Sequence, residues 1–250
     1  MSQSWHLNGY DRDIRNATQA IGRAHTPSER AAGYVRRGRA YSDKARYCWF
    51  FHLISPAEYG RQFQLALQDH SQALALDASN AEVHFGRGQS YFDRATLEGL
   101  GDSQPWLALA AADFQKAAQL DSRHDQAWDM LGLVHVRAGD LDQAIADFTR
   151  EMKLNSLGRL RLAETYCERG SVHQKQNRPD LAIADYRSSI ATGADPDSCS
   201  CDPYNPLLAL YTQGANYDPA WEIVHQAQKD HRWLAPELLQ DLRDHSSRSH

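Results

Sequence analysis

The chain of 250 residues is poor in cysteine, with only four, too few and too unevenly spread for the disulfide framework that holds small secreted domains together. Reduced thiols are therefore expected. A long apolar run is also missing. The longest, residues 48–54, already contains His52 and falls far short of the roughly 20 residues a membrane helix needs, so no membrane span is expected. Nor is there an excess of positive charge: Lys+Arg 27 against Asp+Glu 32 gives a formal net charge of −5. That is the wrong sign for a protein that lives on phosphate backbones, so no nucleic-acid partner is expected. Residues 1–8 carry no basic head, apolar stretch or small-residue cleavage site, which makes the cytoplasm the expected location. What remains, 42% hydrophobic and 24% charged, is an ordinary globular composition that excludes disordered and collagen-like classes.

What the chain does have is a repeat. Gly132-Leu133-Val134-His135 is followed by Ala144-Ile145-Ala146-Asp147-Phe148, and Gly170-Ser171-Val172-His173 by Ala182-Ile183-Ala184-Asp185-Tyr186. The distances from Gly132 to Ala144, from Gly170 to Ala182 and from Leu208 to Ala220 are all 12 residues. An aromatic residue, Trp128, Tyr166 or Tyr204, stands four places before each of these small or apolar positions. Two earlier units carry the same landmarks with the middle stretched, Tyr34, Gly38 and Tyr41 leading to Ala66, His70 and Ala73, and His84, Gly88 and Tyr91 leading to Ala110, Phe114 and Ala117. Each unit reads as a helix, a turn and a helix, with the small residues letting two antiparallel helices approach and the bulky ones filling the space between repeats. Helix starts agree: Thr26-Pro27-Ser28-Glu29, Ser55-Pro56-Ala57-Glu58 and Asp140-Leu141-Asp142-Gln143 are capping-box sequences, two of them with proline at the first helical position.

This pattern resembles the tetratricopeptide-repeat family, W-x2-L-G-x2-Y followed by A-x3-F at a period of about 34 residues. The resemblance covers about residues 28–230, with Ala78, Ser122 and Glu151 departing from the family pattern. It implies an all-α fold, a right-handed superhelical solenoid of about five repeats. Residues 1–27 are expected to form an N-terminal capping helix, with a helical stretch near 11–23, and residues 231–250 a short final helix and a polar tail. The insertions lengthen the helices of the first pair and put a glycine-rich loop in the second.

Solenoids of this family are generally binding modules whose first helices line a groove, so the resemblance implies a protein or peptide partner and no enzymatic activity. Groove-facing places are occupied by Val35, Arg39 and Asp43, by Phe85, Gln89 and Phe92, by Asp129, Leu133 and Arg137, and by Cys167, Ser171 and Lys175. The lysine and asparagine with which some family members clamp a terminal carboxylate are replaced here by Val35, Phe85, Asp129 and Cys167. An apolar or mixed-charge ligand fits better, with Arg39, Arg137 and Lys175 available to acidic side chains. A second patch, Tyr47, Trp49, Phe50 and Trp106, reads either as a satellite core, with Trp106 folded onto Trp49 or Phe50, or as a docking surface, through which the chain could also self-associate. The twelve histidines include His70, His135 and His173 at aromatic packing places, and Cys199-Ser200-Cys201 lacks the second ligand pair of a zinc site. Phosphate-binding, nucleophile-elbow, zinc-protease and dinucleotide motifs are all missing. No catalytic residue, metal or cofactor is expected, although a hydrolytic or metal-dependent activity using the His and Cys residues stands as the competing class.

Overall fold

The computed structural model describes residues 2–97, 101–155, 157–193 and 200–246. Among these described residues are twelve helices and no strand: α1 Ser2–Arg23, α2 Pro27–Phe50, α3 Pro56–Leu76, α4 Ala81–Thr96, α5 Gln104–Leu120, α6 Asp125–Ala138, α7 Leu141–Met152, α8 Leu157–Lys175, α9 Pro179–Ala191, α10 Tyr204–Gln213, α11 Tyr217–Lys229 and α12 Pro236–Ser246. The first helix begins nine residues earlier than its apolar spacing indicates. The stretched first repeat is a pair of long helices, 24 and 21 residues, as its insertion implies. The chain divides into two compact units, Met1–Asp140 and Leu141–His250.

Local chemistry sets the helix ends. At the start of α2 the Thr26 side chain accepts from the Glu29 N–H at 3.1 Å while the Glu29 carboxylate accepts from the His25 and Thr26 N–H groups, so a complete capping box relieves the orphan donors. Ser55 caps α3 by accepting from the Glu58 N–H at 3.2 Å, but the Glu58 carboxylate turns outward to Arg61 and Gln62. One C-terminal device recurs. Gly139, Asn177 and Ala215 adopt left-handed φ values of 81°, 57° and 57°, and the following N–H donates to the carbonyl five residues back at 2.9, 2.9 and 2.8 Å. These are Schellman turns, and His52 and His231 close α2 and α11 in the same way.

In the first unit, α2 packs on α3 and α4 on α5, and α1 lies against α2. The small residues do what their spacing suggests. A Cβ on Gly38 would sit 2.9 Å from the His70 ring, and one on Gly88 2.9 Å from Phe114, so the ring of the second helix occupies the space a side chain would need. Beside each ring runs a fork that the repeat pattern does not advertise: the Arg37 guanidinium donates twice to Asp69 at 2.8 and 2.7 Å, and Arg87 twice to Asp113 at 2.7 Å. Charge-assisted double bonds of this kind fix orientation as well as add energy. Phe63, Phe114 and Val83 are buried, each contributing about 1.5–3 kcal/mol of transfer free energy.

The second unit repeats the plan. Gly170 admits the Tyr186 ring, and Arg169 donates to Asp185 at 2.9 and 2.6 Å. Leu207, Leu208, Tyr204, Trp221 and Leu242 form its main core, with α12 closing the end through Leu242, fully buried, and through Ser246, whose hydroxyl accepts from the Trp221 indole at 3.1 Å.

Candidate functional site

One cavity opens between α1 and α2, and beside it the first helices of the first unit, α2, α4 and α6, together line a second. The first, of about 310 Å³, lies between α1 and α2 and is lined by Tyr10, Asp13, Arg36, Arg39 and Asp43. The second, also of about 310 Å³, lies among α2, α4 and α6 and is lined by Arg39, Asp43, Arg46, Gln89, Phe92 and Asp93, with Met130 reaching in from α6. Arg39 and Asp43 line both. Residues 42, 43 and 46 stand three, four and seven places after Arg39, so the helix brings them to one face, and 92 and 93, three and four places after Gln89, do the same on α4.

The floor of the second cavity is polar. Ser42 and Ser90 are both buried, their hydroxyls 2.8 Å apart, and the Ser90 oxygen is 3.1 Å from His70 Nε2. Burial pulls the His70 imidazole down to about 3, with Arg39 and Arg87 adding to the effect, so the ring is neutral at physiological pH. On one wall Arg46 donates to Asp43 at 3.1 Å and stands 3.7 Å from Asp93. Burial raises the Asp93 carboxyl to about 7; Arg46 opposes the shift and Asp43 reinforces it. Arg39, on the other side, lies 5.8 Å over the Phe85 ring and 3.9 Å from Glu82, a separation beyond hydrogen bonding.

Four of the residues singled out by sequence, Arg39, Asp43, Gln89 and Phe92, therefore meet at one cavity. Three others are corrected. Val35, Phe85 and Cys167 are 7%, 2% and 0% exposed and present nothing to a ligand. Val35 packs with Ala31, Ala73 and Val83, and Phe85 is held between Phe114 at 5.6 Å and His124 at 4.6 Å. Asp129 and Leu133 are half-buried on α6, where Met130 is the residue that reaches the cavity; Arg137 ends that helix exposed. Ser171, half-buried, and Lys175, exposed, lie on α8 in the second unit. Ser42, Arg46, Ser90 and Asp93 were missed, although extending the face from Asp43 by three residues gives Arg46, and from Gln89 by four gives Asp93.

The aromatic patch divides. Trp49 meets Tyr59 edge-on at 5.7 Å and Trp106 meets Phe63 at 5.4 Å and Tyr91 at 6.1 Å. Both belong to a satellite core around Ala45, Tyr59 and Phe63, so Trp106 turns to Phe63 and Tyr91. Tyr47 sits between Tyr10 at 5.7 Å and Phe51 at 4.7 Å. Phe50 is left 71% exposed, beside Phe51 and Leu53 at 41% and 43%.

The cysteine expectation is overturned in the second unit. Cys167 and Cys201 form a disulfide across Cα atoms 6.3 Å apart and 34 residues of sequence. The segment before α10 is brought back to α8, where the Ser200 N–H and hydroxyl donate to Glu164 at 3.0 and 2.7 Å, and this sets Cys201 over Cys167. Cys199 lies outside the described residues. Cys48 is a buried free thiol whose pKa burial raises. Among the described residues no three His, Cys, Asp or Glu side chains gather as metal ligands would, and no helix is long and apolar enough to cross a membrane.

Residues 125–156 and 163–191 match the tetratricopeptide-repeat family model, so this part of the chain consists of tetratricopeptide repeats, the units of protein-interaction modules. No curated protein matches its sequence. Solved structures that resemble it include the MamA protein, 20% identical over 80% of this chain and 92% of that one with a TM-score of 0.47. YrrB, described as a TPR protein with an unusual peptide-binding site, is 18% identical over 76% and 84% with a TM-score of 0.43. BtubC from P. vanneervenii is 13% identical over 92% and 91% with a TM-score of 0.48.

Proposed function

We propose that the chain is a non-enzymatic adaptor, of scaffold or chaperone-like type, that holds an extended polypeptide on the face formed by α2, α4 and α6. One observation carries this reading: a cavity of side-chain size opens among α2, α4 and α6, and it shares Arg39 and Asp43 as lining with another cavity between α1 and α2. A continuous track of pockets suits successive side chains of an extended chain, with a few anchors supplying most of the affinity. Photo-cross-linking amino acids placed at Gln89 and at Phe92 test it, with Leu109 and Leu181, both exposed on second helices, as controls. Partner adducts from 89 and 92 but not from the controls are the expected result; adducts from the controls alone would sink the reading. A second reading, docking of one copy on another, is favoured by the exposed Phe50, Phe51 and Leu53. It would show as a dimer in light scattering that Phe50→Ser with Phe51→Ser abolishes.

A further inference from the structure

The connection before α10 is longer than its counterparts. Residues 77–80 and 121–124 suffice to join α3 to α4 and α5 to α6, whereas residues 192–203 separate α9 from α10. The last four of these, 200–203, are not helical and are held at three points. The Ser200 N–H and hydroxyl both donate to Glu164 Oε1 on α8, at 3.0 and 2.7 Å. Cys201 is bonded to Cys167 on the same helix. The Asp202 carboxylate accepts from the Tyr204 N–H at 3.1 Å and from the Asn205 amide at 2.7 Å, which fixes the far end of the segment at the start of α10. Glu164 and Cys167 stand three places apart, on one face of α8.

Glu164 has a counterpart in the first unit. It precedes Gly170 by six residues, as Glu82 precedes Gly88, so the two glutamates hold the same place on the first helices of their repeats. The Glu82 side chain is 62% exposed, whereas Glu164 is half-buried and gives one oxygen to both donors of Ser200. A non-helical segment whose serine offers its backbone N–H and its hydroxyl to a carboxylate on a first helix has the form of a bound ligand. The chain supplies to α8 what a partner would supply.

Resting on the reading of first helices as ligand-bearing, we propose that α8 carries a separate polypeptide site, for a segment that presents a serine or threonine to Glu164, and that residues 200–203 are its built-in occupant, locked down by the disulfide. Thiol exchange unlocks it. Cys201 is half-buried and Cys167 fully buried, so a dithiol reductant attacks the Cys201 sulfur. The S–S bond breaks, Cys167 leaves as a thiolate and takes up a proton, and the second thiolate of the reductant then displaces Cys201 as the reductant closes its own disulfide. Two electrons and two protons pass to the protein. With the tether cut, Ser200 holds the segment on Glu164 at an effective concentration on the order of millimolar, against which an added ligand competes.

The test titrates the full chain into a peptide of residues 200–206 carrying Cys201→Ser, acetylated at its N-terminus and labelled with fluorescein at its C-terminus. Oxidised wild type should leave the peptide's anisotropy unchanged. The chain with Cys167→Ser and Ser200→Ala, kept in dithiothreitol, has lost both holds on its own segment and should bind the peptide saturably. Binding should weaken about ten-fold with Ser200→Ala in the peptide or Glu164→Gln in the chain, the equivalent of one charge-assisted contact, and persist with Ser200→Thr in the peptide. In reduced wild type, N-ethylmaleimide should label Cys167 about ten-fold faster than Cys48, the buried thiol of the other unit. Equal binding by oxidised wild type, binding that survives Glu164→Gln, or no binding by the variant would overturn the site. Loss of amide protection in α8 and α9 of the variant would also overturn it, by showing the segment to be part of the core. Labelling of Cys167 as slow as that of Cys48 would overturn the lock. None of these outcomes touches the cross-links expected at Gln89 and Phe92, on which the adaptor reading stands or falls by itself.

Discussion

At the scale of single residues, one environment pushes two side chains in opposite directions. His70 is held near 3 against an ordinary 6.5, and Asp93 near 7 against an ordinary 3.8, burial being the main cause of each. For His70 the folded pKa is depressed, so its contribution to stability is fully present above 6.5 and is lost as pH falls toward 3, because the unfolded chain takes up a proton the folded chain refuses. For Asp93 the folded pKa is raised, so the folded chain holds the extra proton between 3.8 and 7 and acidification adds stability there. The slopes, each about 1.4 kcal/mol per pH unit, oppose one another. Wild type should therefore show little net change from this pair between pH 7 and pH 5, while His70→Gln becomes relatively more stable on acidification and Asp93→Asn relatively less, each by about 2 kcal/mol. Urea unfolding at the two pH values measures both, and variants that simply parallel wild type would show that burial does not govern these groups. Sequence placed His70 correctly as a packing residue in a phenylalanine's position. It gave no sign of Ser42 or Ser90, because two serines on different helices become partners only once those helices are packed.

At the scale of the helix pair, what sequence conveyed well was periodic and local. The Gly–Ala spacing of 12, the Thr26 capping box and the lengthened first pair all recur in the structure, since each is set by residues near one another along the chain. Contacts between the two helices of a pair were legible only in part. The Arg–Asp fork precedes the glycine and the ring at the same register in three pairs, Arg37–Asp69, Arg87–Asp113 and Arg169–Asp185, yet nothing within one helix says that those charges meet. The turns offer a test at this scale. Left-handed residues stand at 139, 177 and 215, steps of 38 residues in each case, and only the first is glycine. Asparagine tolerates that conformation, whereas alanine pays about 1–2 kcal/mol for it through its Cβ. Ala215→Gly removes that strain at a smaller cost in unfolded-chain entropy, so it should raise stability by about 0.5–1 kcal/mol, and Gly139→Ala should lower it by about 1 kcal/mol. Chemical unfolding midpoints decide the matter; a loss of stability in Ala215→Gly would mean the turn is not strained as its φ implies.

At the scale of the whole molecule the disulfide sets the terms. It closes a loop of 34 residues by sequence separation, for which restriction of the unfolded chain contributes about 3–4 kcal/mol, and it ties the segment before α10 to α8 within one compact unit. Reduction with dithiothreitol should therefore act unevenly. Amide hydrogen exchange should quicken in α10, α11 and α12, whose core with Tyr204, Leu207 and Trp221 then depends on packing alone, while α2 to α5 in the other unit keep their protection. Cys167→Ser should reproduce the reduced pattern without reductant. The same bond bears on where the chain works. Cytosolic thiols are kept reduced, and lasting disulfides belong to oxidising compartments. Protein taken from its native cell with thiols blocked at lysis, digested without reductant and mapped by mass spectrometry should yield the Cys167 and Cys201 peptides joined. If it does, the cytoplasmic expectation drawn from residues 1–8 fails, because no property of that segment outweighs a bond found closed in the cell. If both cysteines instead carry the blocking label, the disulfide does not form there, and the second unit holds together through its hydrophobic core.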